Sequence, residues 1–152
     1  MEVGGKVAIS DINSRKNALS ESSKKLGEIN KDVESFELDI RVQESIKSGI
    51  KAVNNVSGTI DILKNNAGLT LKKSTLEMSL KEWQNVIDTN LTGTWLMDKE
   101  VVDQMISNNH SRGGRIINIA SQLGKAVGHV PDSAYYASKA GIIYLTRVHA
   151  MG

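Results

Sequence analysis

Tyr135 and Lys139 stand four residues apart in Tyr135-Tyr136-Ala137-Ser138-Lys139. On a helix that spacing stacks two side chains on one face. A phenol, with a pKa of about 10, is a poor acid or base at neutral pH. A cation beside it favours the phenolate and draws it toward the working range. The pair therefore reads as an acid/base tyrosine with a supporting lysine. Taken alone, such a pair is more often two ordinary surface residues of one helix. Tyr136 does not fit the role, because the residue four beyond it is Ala140.

Other polar residues stand where an α/β chain places ligands. Ser121 follows the apolar run 115–120, RIINIA. Open parallel sheets bind ligands outside the carboxyl ends of their strands, so a hydroxyl there can bond a substrate oxygen. A serine-hydrolase nucleophile is excluded, since no GxSxG elbow surrounds it. The plain alternative is a loop-capping serine. Asn65-Asn66-Ala67-Gly68 closes another apolar run. Its small residues would let backbone approach a ligand, or it is an ordinary turn. Asn90 interrupts a helical pattern, where asparagine is mildly unfavourable. Facing inward, it would break the helix ladder and hold a water; facing outward, it marks a junction between two helices. Asp11 ends the first apolar run, where an acid can bond the ribose hydroxyls of an adenosine and repel a 2′-phosphate. Arg15 and Lys16 stand close after it and would attract a phosphate instead. Asp11 also suits an N-cap for a helix from about Ser14.

The elements that must position these residues alternate along the chain. Short β-rich runs cover 6–10, 34–39, 60–64 and 115–119; helical patterns cover 14–27, 42–56, 80–108 and 134–150. Val42, Ile46, Ile50 and Val53 show the helical spacing most clearly, whereas 14–27 offers only Ala18 and Leu26. Thr75 and Ser79 are candidate caps for the helix from 80, which is expected to break near 90–93. Residues 120–133 form a loop with the single proline, Pro131. This rhythm predicts one α/β domain over 1–152, with helices around a parallel sheet.

Composition narrows the function classes. The 152 residues are 39% hydrophobic and 24% charged, as in ordinary globular proteins. Nineteen basic and seventeen acidic residues leave a net charge of +2, which gives no case for nucleic acid or an anionic membrane. No apolar run approaches the roughly 18 residues of a membrane span. The N-terminus lacks the pattern of a signal peptide, and a cytoplasmic location is the expectation. Without cysteine there are no disulfides, thiolate metal sites or cysteine nucleophiles. His110, His129 and His149 show no metal-ligand spacing and read as structural or surface residues.

In order and spacing these segments resemble the short-chain dehydrogenase/reductase family over nearly the whole chain. The matching pieces are Asp39-Ile40, then NNAG at 65–68, Asn90 in DTNLTG, Ser121 in INIASQLG, and Tyr135 with Lys139 in YYASKAG. Ser121 precedes Tyr135 by 14 residues, within the family's range. The chain is most similar to β-ketoacyl-carrier-protein-reductase-like members and related alcohol or sugar dehydrogenases. The resemblance implies a Rossmann-like doubly wound parallel sheet with helices on both faces. It implies hydride transfer between a nicotinamide cofactor and a carbonyl or secondary alcohol. Tyr135 would be the acid or base, Lys139 would tune it and bind the nicotinamide ribose, and Ser121 would orient the substrate oxygen. Asn90 would hold a relay water. Asp39 and Ile40 would contact adenine, and Asn66, Ala67 and Gly68 would lie along the cofactor. Asp11 favours NAD over NADP. The helices near 90–108 and 134–150 would form a homo-oligomeric surface.

The chain also departs from the family. The glycine-rich TGxxxGxG turn that cradles the pyrophosphate is absent from the sequence. The first strand matches the family's second, and the pattern stops after the Tyr/Lys helix. The expected sheet thus lacks the family's first strand, which is central, and its last strands. The pairs 6–10/34–39 and 60–64/115–119 lose their bridge, leaving inner edges unpaired. Lys64 stands in a strand that the family buries on both faces, which is costly unless an open edge leaves it wet. The alternative reading is a catalytically inactive relative acting only through protein association. The substrate is not specified; Met78, Leu123, Val127 and Val130 either touch it or pack in the core.

Overall fold

The computed structural model describes residues 5–109 and 113–151. His110 lies outside them. Strand β1 (Val7–Asp11) pairs in parallel with β2 (Val33–Glu37), Val7 opposite Val33 and Asp11 opposite Glu37. Strand β3 (Ile62–Asn65) pairs in parallel with β4 (Arg115–Asn118), Ile62 opposite Arg115 and Asn65 opposite Asn118. No ladder joins β1 to β3 among the described residues, so the sheet takes the form of two separate two-stranded pairs. The expected loss of the bridge is realised, and the pairs do not close directly on each other.

Helices join the two halves. Helix α2 (Gln43–Ser57) packs on β2 and on α4 (Gly93–Asn109), and α4 packs on β3. The core sits along this seam: Leu38, Ile46, Met97, Val101 and Met105 are buried, flanked by Ile40, Ile50, Leu63 and Ile116. Each such buried side chain contributes about 1.5–3 kcal/mol. By contrast, α1 (Lys16–Gly27) packs on β1 and β2 without a single buried residue, as its sparse apolar face dictates. A 3-10 turn, Asn13–Arg15, precedes it.

The β3–β4 pair has two unlike faces. Leu63, Asn65, Ile116 and Asn118 turn toward the helices; Ile62, Lys64, Arg115 and Ile117 turn away and are exposed. Lys64 is therefore wet, opposite Ile117 in the ladder. This strand is covered on one face among the described residues, so its lysine carries no burial cost.

Helix α3 (Leu80–Ile87) begins in a capping box: the Ser79 hydroxyl accepts from Glu82 N, and Glu82 accepts from Ser79 N. Thr75 lies in a turn instead. The expected break near Asn90 is not a break but a widening. Residues Asp88–Thr92 form a π turn, in which Gly93 N donates to Asp88 O, and α4 continues from it without interruption. Ideal Cβ placement at Gly93 would fall 2.8 Å from Ile40 Cδ1, so the glycine admits Ile40 against this turn. Helix α5 (Ser133–His149) is capped by Asp132, whose carboxylate accepts from Tyr135 N.

Candidate active site

Lys139 is the centre on which the separated motifs converge. It sits nearly two turns into α5, 5% exposed, with Nζ donating to Ile119 O at 2.7 Å. Its Nζ lies 5.7 Å from the centroid of the half-buried Tyr135 ring, so the four-residue spacing does bring the two together. A Cβ built on Gly68 would fall 3.7 Å from the same Nζ and 3.2 Å from Asn90 Oδ1. The end of β4, the loop after β3, the π turn and α5 thus enclose one amine. Burial pushes the Lys139 amine below the usual lysine range. One of its three hydrogens is held by Ile119 O, and the others are left for a ligand.

Asn90 is fully buried, and its amide is committed to protein groups. Oδ1 accepts from Leu69 N at 2.8 Å; Nδ2 donates to Leu69 O at 2.9 Å and to Ser138 Oγ at 3.0 Å. Its own carbonyl accepts from Thr94 Oγ1. The inward-facing Asn is the one realised. Its side chain clamps the loop after β3 to α5.

Ser121 Oγ accepts from Leu123 N at 3.2 Å and caps the 3-10 turn Gln122–Gly124. That bond leaves the hydroxyl hydrogen for another acceptor, such as a substrate oxygen. The turn rests directly on α5: a Cβ at Gly124 would meet Lys139 C and O at 2.7 Å. Tyr136 has a different task, accepting from Gly128 N at 3.0 Å and holding the loop. Beside it opens a groove lined by Thr75, Val127, His129, Val130 and Pro131. Val127 is 92% exposed and Val130 40%, which rules out core packing for Val127.

Other predicted residues lie nearer β1 and β2. Asp11 stands at the end of β1, Oδ1 accepting from Ile12 N at 2.8 Å and Oδ2 lying 3.5 Å from Arg15 Nε. It does not cap the helix: Ile12 holds the cap position of the 3-10 turn, without a side-chain bond. Both oxygens of Asp39 are taken by Arg41, through Nε at 2.9 Å and Nη2 at 2.7 Å. The guanidinium holds that carboxyl below the usual carboxylate range. Ile40 turns inward against the core and Gly93. Asn66, Ala67 and Gly68 are exposed.

The model of the short chain dehydrogenase family matches residues 1–152. The chain belongs to the short-chain dehydrogenase family. It is 40% identical over 122 residues to the 3-oxoacyl-[acyl-carrier-protein] reductase FabG of Staphylococcus epidermidis, covering 79% of this chain and 48% of that protein. The Vibrio harveyi FabG is 40% identical over 110 residues, 72% of this chain and 43% of its own length. A solved short chain dehydrogenase from Mycobacterium smegmatis superposes with a TM-score of 0.87 at 31% identity, over 96% of this chain and 59% of that one. Actinorhodin polyketide ketoreductase with NADPH gives a TM-score of 0.88 at 30% identity, over 96% and 54%. This short-chain dehydrogenase chain spans about half the length of the curated relatives it matches.

The residues present fit a nicotinamide dinucleotide in part. The exposed backbone of Asn66–Gly68 passes above an amine with uncommitted hydrogens, and the absent Gly68 side chain keeps that approach open. Asp11 offers a carboxylate at a strand end. Three contributors to the site were not singled out from the sequence. Ser138 lies inside the YYASK run, yet nothing local marks it as the partner of Asn90. Asp132 was findable, since an Asp just before a helical run signals a cap. It is 3% exposed and also accepts from Thr70 Oγ1 and Leu71 N, tying α5 to the loop after β3. Asp98 lies buried on α4, and no motif in the sequence marks it. No group of three or more metal-ligating acidic, His or Cys side chains occurs among the described residues.

Proposed function

We propose that the protein is an NAD(P)-dependent oxidoreductase acting on a carbonyl or secondary alcohol, as the names of its reductase relatives suggest. The observation that carries the reading is the convergence of Tyr135, Asn90, Gly68 and Ile119 on the Lys139 amine. When bound, a nicotinamide supplies or accepts the hydride. The chain does the rest. Tyr135 Oη gives its proton to the substrate oxygen in reduction and takes it back in oxidation. The Lys139 cation favours the phenolate in between and offers its free hydrogens to ribose hydroxyls. Ser121 Oγ donates to the substrate oxygen and fixes its angle of approach. Asn90 keeps the Gly68–Leu69 backbone against α5. Asn66, Ala67 and Gly68 line the cofactor, with Asp39 and Ile40 at the adenine end. The carboxylate of Asp11 supports NAD over NADP, whereas Arg15, 3.5 Å from it, and Lys16 are the cations that would draw a 2′-phosphate instead.

Fluorescence titration with NADH and NADPH tests the cofactor, with tighter NADH binding expected. Tyr135→Phe should lower turnover at least about a thousandfold while leaving cofactor affinity within about twofold. Retained turnover would remove Tyr135 from its role. A folded wild-type chain that binds neither cofactor would overturn the oxidoreductase reading.

The same reading includes a homo-oligomer. Trp95, Val102 and Ile106 form an exposed stripe on α4, and Tyr144 and Val148 one on α5. Light scattering should show a dimer or larger species; a monodisperse monomer would contradict it.

A further inference from the structure

Asp98 is a charged side chain that the proposed chemistry does not use, and it is 1% exposed. It stands on α4 and gathers donors from three other elements. Asn65 Nδ2, at the end of β3, donates to Oδ1 at 2.6 Å. Asn118 Nδ2, at the end of β4, donates to Oδ2 at 3.1 Å. His149 Nδ1, at the end of α5, lies 3.1 Å from that same oxygen and donates to it when Nδ1 carries the hydrogen. The remaining amide hydrogens are also placed: Asn65 donates to Asn118 Oδ1, and Asn118 to Thr146 Oγ1. Thr146 in turn donates to Ile142 O. The asparagine and threonine donors of the cluster are all taken by protein groups.

Each residue of the cluster adjoins a segment that touches Lys139. Asn65 leads into Asn66-Ala67-Gly68, whose glycine abuts Lys139 Nζ. Asn118 precedes Ile119, whose carbonyl holds Lys139 Nζ. Helix α5 carries Tyr135 and Lys139 on the same element as Thr146 and His149. One carboxylate therefore fixes three elements that enclose one amine. Stability alone does not call for it: burial pushes the Asp98 carboxyl above the usual carboxylate range, and well-packed apolar groups often serve a buried site as well.

We propose that Asp98 is a positioning residue, which sets the ends of β3 and β4 against α5 so that Lys139 is held on Ile119 O beside Tyr135. Its effect on turnover rests on the oxidoreductase reading; its effect on Lys139 does not. The test uses Asp98→Ala and Asp98→Asn in the full chain, with folding checked by circular dichroism. In 13C NMR of lysine-labelled protein, Lys139 (assigned with Lys139→Arg) should titrate closer to an ordinary lysine in Asp98→Ala. In turnover, Asp98→Ala should lower kcat about tenfold or more with KM within about twofold, as loss of alignment does. Asp98→Asn should fall between, since its amide oxygen can still accept from Asn65; it carries the test if the alanine variant fails to fold. An unchanged Lys139 titration in a folded variant overturns the proposal, whether or not the chain turns over. A shifted titration in a chain without wild-type turnover supports it and removes the oxidoreductase reading alone.

Discussion

Glu82 has two jobs at the start of α3. Its carboxylate accepts from Ser79 N and Ser79 Oγ at 2.8 Å and meets Lys73 Nζ at 2.8 and 3.0 Å. The Lys73 bond first, then those from Ser79, hold its carboxyl down at about 2 against an ordinary 4.5. A carboxyl whose folded pKa is depressed stabilises the fold above its unfolded pKa and loses that contribution as pH falls. Glu82→Gln should therefore lower the melting temperature at pH 7. The difference from wild type should shrink between about 4.5 and about 2, read by thermal unfolding across that range. A constant difference would mean that the bonds to Ser79, not the charge, carry the effect. The same scale shows what sequence makes legible. Tyr135 with Lys139, and Ser79 with Glu82, are local patterns whose geometry a helix dictates. Asp98 with His149 spans 51 residues and Asn90 with Ser138 spans 48, and no local rule links such positions.

Elements were legible to within a few residues, because hydrophobic period and turn residues mark them. The strands expected at 6–10 and 115–119 occur at Val7–Asp11 and Arg115–Asn118. The π turn was legible only as an irregularity near Asn90, whose partners, Leu69 and Ser138, are distant in the sequence. The 3-10 turn after Ser121 was legible only as a loop that a serine could cap; that it rests on α5 was not. Gly124 makes that contact possible, and a methyl group there meets backbone of Lys139 that cannot swing aside. Gly124→Ala should cost about 1–3 kcal/mol in urea unfolding, as overpacking does. A cost near zero would show that the turn does not lie on the helix in solution.

At the scale of the whole molecule, the division of the strands into two pairs separates a well-packed half from a poorly packed one. The segment from β1 through β2 has no buried residue, whereas α2, α4 and the inward face of β3–β4 carry the core. The link between the halves is chiefly α2, which touches both β2 and α4. Regions with few buried apolar contacts open at low free energy, independently of the rest. Cooperativity is the property at stake. This chain should melt as two units, the β1–α1–β2 portion first, with a calorimetric enthalpy larger than the van't Hoff value. Amide exchange should show the same division, fast through β1 and slow through Val101 and Met105. Equal enthalpies would show that α2 transmits enough of the core's stability to make the two halves one.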